Sequence, residues 1–217
     1  MTKLEISVDG KIESYHLPVK WDEVSIKQYQ DLMVINENKD ISSIEVKIKS
    51  ISILTGCDMG LISKAPMSHL NRVYDRLASL TAEMPNKDLR RVIEIEGVEY
   101  GFIPDMKDLT FGEFADIDTW MQDGYRNLVD ILSVLYRPVV KRNGDRYKIE
   151  EYKTDDRADR ADLFARSMSI DSVYGAMLFF YTIGEKHIET TKSSLETRMQ
   201  SRNSMEQKEK KKKVRVH

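Results

Sequence analysis

This 217-residue sequence predicts an α+β fold, helix-rich, built as two related β-hairpin-plus-helices halves with a charged hairpin arm and a basic C-terminal tail. Two observations carry that prediction. The first is a pair of stretches, their helix starts 85 residues apart, in which alternating apolar and polar residues flank a glycine turn, at Asp9-Gly10 and at Glu96-Gly97, before a proline releases the chain into a capped helix. Ser25 and Thr110, Ile26 and Phe111, Tyr29 and Phe114, Asp31 and Asp116, Leu32 and Ile117 all keep this offset. The second is the series of segments after each hairpin whose apolar residues recur at helical spacing.

Taken in order, the first hairpin occupies residues 4–17 and its helix begins after Ser25, a residue suited to an N-cap. Ile41, Ile44, Ile48, Ile51 and Leu54 then fall at helical spacing and Gly56 suits the position just past a helix end. Ile44, Val46 and Ile48 also alternate, which keeps a strand open for the same stretch. Pro66 suits the start of a further helix with Met67, Leu70, Val73, Leu77 and Leu80 on one face. The break at residues 84–87, Met-Pro-Asn-Lys, divides a first half, 1–84, from a second, 85–189.

In the second half a helix is expected from Asn127 to Tyr136, stopped by Pro138. Residues 139–149 form an inserted hairpin around Asn143-Gly144, since both residue types tolerate positive φ. Its strands are heavily charged, so it is either a solvated hairpin or an arm that reaches another chain. Acids and bases at helical neighbour spacing follow, from Asp155 to Asp162. A helix from Ser169 to Ile183, ended by Gly184, carries Ile170, Val173, Met177, Phe180 and Tyr181, and its Ser169 and Val173-Tyr174 echo Ser68 and Val73-Tyr74, although the spacing within the two differs by one residue. From Thr190 the apolar period fades, and residues 190–217 read as an extended polar and basic tail.

Charge is unevenly spread. Residues 208–217 carry six basic side chains against Glu209, which makes them +5 and leaves −7 on the other 207 residues of a chain with net charge −2. The single cysteine, Cys57, cannot close an internal disulfide and reads as a small buried hydrophobe. The N-terminus lacks the pattern of a signal peptide, and no uncharged apolar run approaches the roughly 20 residues that span a bilayer. No membrane partner is expected.

Reaction chemistry is not expected either. The 10 glycines offer neither a phosphate-binding loop nor a dinucleotide fingerprint. His16, His69, His187 and His217 stand apart, and no nucleophile elbow is present. Glu113, Asp116 and Asp118 are the tightest acid cluster near apolar sequence and read as a solvated first helical turn. Trp21 and Trp120 read as core aromatics. No catalytic residue, metal or cofactor is expected, and repetition of a module without any catalytic group argues for a protein that makes surfaces. Candidate interface residues are Arg142, Asn143 and Gly144 at the hairpin tip and Met177, Phe179 and Phe180 on a helix apolar on nearly every face. Lys210, Lys211, Lys212, Lys213 and Arg215 are candidate polyanion-binding residues, non-specific because no aromatic residue interleaves them. The acidic body of another subunit is an equally good partner for them.

Three motifs carry a resemblance: Trp21, Val24, Gln28, Tyr29 and Leu32; the run from Leu109 to Ile117, Leu-Thr-Phe-Gly-Glu-Phe-Ala-Asp-Ile; and Ile131-Leu132-Ser133-Val134-Leu135-Tyr136-Arg137-Pro138. Together they resemble small proteins of the structural and assembly modules of tailed bacteriophages, particularly those of Bacteroidetes hosts, including the crAss-like group. The resemblance implies a virion component assembled in the host cytoplasm. That component is a ring protein of the head-tail connector or tail, partnered with itself and other phage structural proteins, or else a tail assembly chaperone. A nucleic-acid-binding accessory protein, acting through the lysine tail, is the third expectation.

Overall fold

The computed structural model describes residues 3–8, 11–122 and 124–182. Residues 1–177 form one compact unit and 178–217 a second, so the expected boundary after residue 84 falls inside the first unit. The fold is α+β, with eight helices and antiparallel sheets of two and four strands among the described residues.

In the first half, β1 (Lys3–Val8) and β2 (Lys11–His16) pair antiparallel, from Lys3 opposite His16 to Val8 opposite Lys11. Leu4 and Ile6 point inward from the alternating strand, and Leu17 follows them into the core. A short 3-10 turn at Trp21–Glu23 leads to α1 (Ile26–Glu37). Ser25 caps it: its hydroxyl accepts from Gln28 N at 3.2 Å while Gln28 Oε1 accepts from Ser25 N at 2.9 Å, a reciprocal capping box. Ser42 and Glu45 repeat the device before α2 (Ser43–Thr55), which settles the helix-or-strand question for that stretch. Ile51 and Leu54 are buried, and Gly56 ends the helix at φ 73°, a left-handed conformation that suits glycine. Asp58 caps the short α3 (Met59–Ile62), and α4 (Met67–Thr81) follows Pro66 with Leu70, Val73, Leu77 and Leu80 on its buried face.

The second half opens with β3 (Val92–Ile95) and β4 (Val98–Phe102), joined by a tight turn in which Glu96 and Gly97 both have positive φ. A 3-10 turn at Met106–Asp108 then leads to α5 (Phe111–Met121), capped by Thr110 and Glu113 as α1 is by Ser25 and Gln28. Next comes α6 (Leu128–Leu135). The helix expected to reach Tyr136 stops one residue earlier, because Tyr136 is already the first residue of β5 (Tyr136–Asn143), opposite Phe102, with its hydroxyl donating to Arg90 O at 2.6 Å. Pro138 therefore stops no helix. It lies within β5 opposite Tyr100, next to a register shift between Val139 and Lys141 where a missing N–H is tolerated.

β5 pairs in turn with β6 (Arg146–Ile149), so the sheet order is β3-β4-β5-β6 and the charged hairpin is the outer half of a sheet. Its root is fastened by Tyr147, whose hydroxyl lies 2.6 Å from Phe102 O and whose ring fills the space left by Gly101. The turn residues are Gly144 and Asp145, one position later than the glycine turn expected at Asn143-Gly144. Asn143 pairs with Arg146, and Gly144 alone takes positive φ, at 59°. α7 (Arg157–Ser167) meets the sheet through Phe164, which lies edge-on to Tyr100 of β4. An eighth helix, α8, is described over residues 170–182 after the Ser169 hydroxyl cap. The expected stop at Gly184 and the tail at 190–217 lie outside the described residues.

α1 packs on α2, and α2 on α4, while α6 packs on both α5 and α7. Contacts of α1 with α6 and α7 join the halves. The segment between them is sewn into both sides: Trp21 Nε1 donates to Glu83 O at 2.6 Å, and Asn86 N to Asp171 Oδ1 at 2.9 Å.

Candidate functional site

The start of α5 combines the most exposed large apolar side chain among the described residues with a buried ionic support. Phe111 and Phe114, one helical turn apart, are 87% and 55% exposed. Ile26, the counterpart of Phe111, is 0% exposed. The difference has a cause in the chain. Residues 168–170 lie against the start of α1: Ile26 N donates to Met168 O at 3.0 Å, Ile170 N donates to Val24 O at 2.9 Å, and Ser25 bridges Ser169. No such bridge forms at residues 109–111 among the described residues. An open groove of about 490 Å³ runs along the occupied seam, lined by Glu23, Gln28, Arg166 and Ser167 among others.

Beneath Phe111 and Phe114, Glu113 turns inward. Its Oε2 accepts from Thr110 N at 2.6 Å and from the Thr110 hydroxyl at 2.7 Å, and its Oε1 lies 2.6 Å from Arg137 Nη2. Both side chains are more than nine-tenths buried, so the expectation of a solvated first turn is corrected at Glu113. Burial lowers the Arg137 pKa, against the pull of Glu113. Asp116, one turn on, accepts a hydrogen bond from the Tyr152 hydroxyl, and burial together with that bond pushes the phenol up to about 12.

Two more guanidinium groups stand behind α5 and α6. Arg157 lies 4.1 Å above the half-buried Trp120 ring and 3.9 Å from Asp130, while Arg160 Nε donates to Ser133 O at 2.8 Å. The Arg160 pKa is lowered by burial first and by repulsion from Arg137 second. Planar guanidinium groups suit such stacked and carbonyl-facing places better than lysine would. They tie α7 to Trp120 of α5 and to Asp130 and Ser133 of α6 beneath the α5 start.

The residues expected at an interface fall in two places. Arg142, Asn143 and Gly144 are exposed at the tip of the outer hairpin, where Arg142 pairs with Glu99 and its Nε donates to Gly144 O at 3.3 Å. Met177 is half-buried on α8. Phe179 and Phe180 belong to the second unit, the first 38% and the second 6% exposed. Lys210, Lys211, Lys212, Lys213 and Arg215 lie outside the described residues. Cys57 and Trp21 are buried as expected. Among the described residues no three of His, Cys, Asp and Glu gather as a metal site, and no helix is long and apolar enough to cross a membrane.

Sequence reasoning missed Phe111 and Phe114 as surface residues because the repeat equates them with Ile26 and Tyr29. The available signal was their flanking charge, since Asp108, Asp116 and Asp118 crowd the same short segment. No family model, curated protein or solved structure matches this chain.

Proposed function

We infer that this chain is a non-enzymatic structural subunit that acts through contacts with copies of itself and with other proteins of a tailed-phage particle, at a head-tail connector or tail ring. One observation carries the self-assembly part: the fold covers the start of α1 at Ile26 and leaves the equivalent start of α5 bare at Phe111 and Phe114. An exposed aromatic pair on a capped helix start is characteristic of a contact surface. Support for the phage setting comes from the resemblance of the motifs around Trp21, Thr110 and Leu135.

The experiment is a native mass measurement on the purified full chain over a range of concentrations. A discrete oligomer with a fixed subunit number is the expected result. A strict monomer whose C-terminal segment is cut readily by protease overturns it in favour of a tail assembly chaperone. The +5 charge of residues 208–217 supports a second reading, non-specific nucleic-acid binding. Deleting 206–217 separates the two, because loss of DNA retention with assembly intact assigns the lysines to nucleic acid.

A further inference from the structure

The contact that joins the halves is used once, although the repeat supplies the parts for it twice. The lead-in to α8 at residues 168–170 sits on the start of α1, with Val24, Ile26 and Met168 all buried. The lead-in to α4, residues 65 and 66, holds the same place as the lead-in to α8: Pro66 immediately precedes the first helical residue, Met67, as Ser169 precedes Ile170. The start of α5 is the counterpart of the start of α1. A two-fold relation between the halves would bring this second pair together inside the chain. It does not, since Met67 is 48% and Phe111 87% exposed. One surface of each kind is therefore left over.

The geometry points to a second copy of this chain as the occupant: the α4 lead-in of one copy, with Met59 and Met67, seats on Phe111 and Phe114 at the α5 start of the next. The contact between molecules then repeats the one that 168–170 makes with α1 within a molecule. Charge agrees with this pairing. Lys64, Arg72 and Arg76 against Asp75 leave residues 64–76 at +2, while Asp105, Asp108, Asp116 and Asp118 against Lys107 leave 105–118 at −3 once Glu113, buried against Arg137, is set aside. The inference rests on the self-assembly reading above and specifies its interface. Because the two faces differ, the contact is heterologous and either closes into a ring or propagates as a filament.

Two full-length variants test it, one with Phe111→Ser and Phe114→Ser, the other with Met67→Asp. The altered residues are exposed, and an acid at the first residue of α4 suits the helix dipole, so thermal unfolding should stay close to wild type. Should Met67→Asp nevertheless unfold, Met67→Ser takes its place. By sedimentation, each variant alone should associate at least about tenfold more weakly than wild type. Mixed in equal amounts, each supplies the face the other lacks. The mixture should form a complex of twice the 25.2 kDa subunit mass and nothing larger. Either variant assembling like wild type, or a mixture that stays monomeric, overturns this interface while leaving self-assembly standing. A wild-type chain that is monomeric at every concentration overturns both.

Discussion

Gln28 and Glu113 hold the same position in the two halves, the third residue of a capped helix, and each turns toward the end of the next helix. Gln28 Nε2 donates to Ile53 O at 3.0 Å and to Leu54 O at 3.3 Å, in the last turn of α2. A carboxylate has no hydrogen to offer such carbonyls. Where the second half carries Glu113, the position two residues beyond α6 is accordingly Arg137, whose Nη2 meets the carboxylate at 2.6 Å. The module is thus copied as a geometry, and its polar chemistry is refitted at each copy.

Glu113→Gln follows from this. The amide can still accept from Thr110 N, but the Arg137 guanidinium is left buried without its counter-charge. Breaking a buried pair from one side costs about 3–5 kcal/mol. Urea denaturation should show a loss of that order, and adding Arg137→Met should recover a large part of it, because an apolar side chain of similar length needs no partner. Losses that simply add would show that the two residues do not act as a pair.

Two helical glycines should respond in opposite directions to alanine. A Cβ on Gly175 would lie 2.2 Å from Asp88 O and 2.8 Å from Leu89 N, which are backbone atoms and cannot swing aside. Gly175→Ala should cost about 1–3 kcal/mol, which lowers the melting temperature by several degrees. A Cβ on Gly112 meets nothing within 4 Å, and Gly112→Ala should be neutral or raise stability by up to about 1 kcal/mol. Equal melting shifts would mean that α8 does not approach residues 88–89 this closely.

The contrast between the two glycines shows which parts of the fold were legible. Periodicity and caps are local, so α1, α2 and α4, with Ser25, Gly56 and Pro66 at their ends, could be read from their own residues. So could the hairpins and the correspondence of Ser25 with Thr110. Whether a given apolar face is covered depends on a distant segment. Ile26 and Phe111 are alike in apolar periodicity, and apart from the acids that flank Phe111 it is the placement of residues 168–170 that separates them. Pro138 misled for a related reason: a proline bounds a helix or occupies a strand irregularity, and it was the pairing of Tyr136 with Phe102 that decided. The buried fate of Glu113 needed Arg137, 24 residues away in sequence and reached through the turn from α6 into β5.

Alkaline pH should loosen the packing around Tyr152. Burial, and the hydrogen bond its hydroxyl donates to Asp116, raise the phenol from about 10 in an unfolded chain to about 12 in the fold. The unfolded chain therefore loses this proton first. The contribution is complete below about pH 10 and is lost as pH rises toward 12. Tyr152→Phe cannot ionise, so its stability should fall less steeply across that interval. Wild type and variant declining in parallel, as followed by circular dichroism, would rule out Tyr152 as the source.

Acid should act at the start of α2. The Glu45 carboxylate accepts from Ser42 N at 3.0 Å and from the Ser42 hydroxyl at 3.1 Å, and these bonds, the backbone one foremost, lower its pKa. A depressed carboxyl contributes stability that is present above its unfolded value, about 4.3, and is lost as pH falls through the folded value. At neutral pH wild type should therefore exceed Glu45→Gln in melting temperature, since the amide keeps an acceptor for Ser42 N but lacks the charge that suits a helix start. In acid, with the carboxyl protonated, both side chains are neutral and the two melting curves should converge. Ser42→Ala serves as the comparison: it removes the hydroxyl that accepts from Glu45 N, a contact that does not titrate, so part of its deficit, about 1 kcal/mol at neutral pH, should persist in acid. A Glu45→Gln deficit that stays constant from neutral to acid would place the stabilisation in the shape of the capping box rather than in its charge.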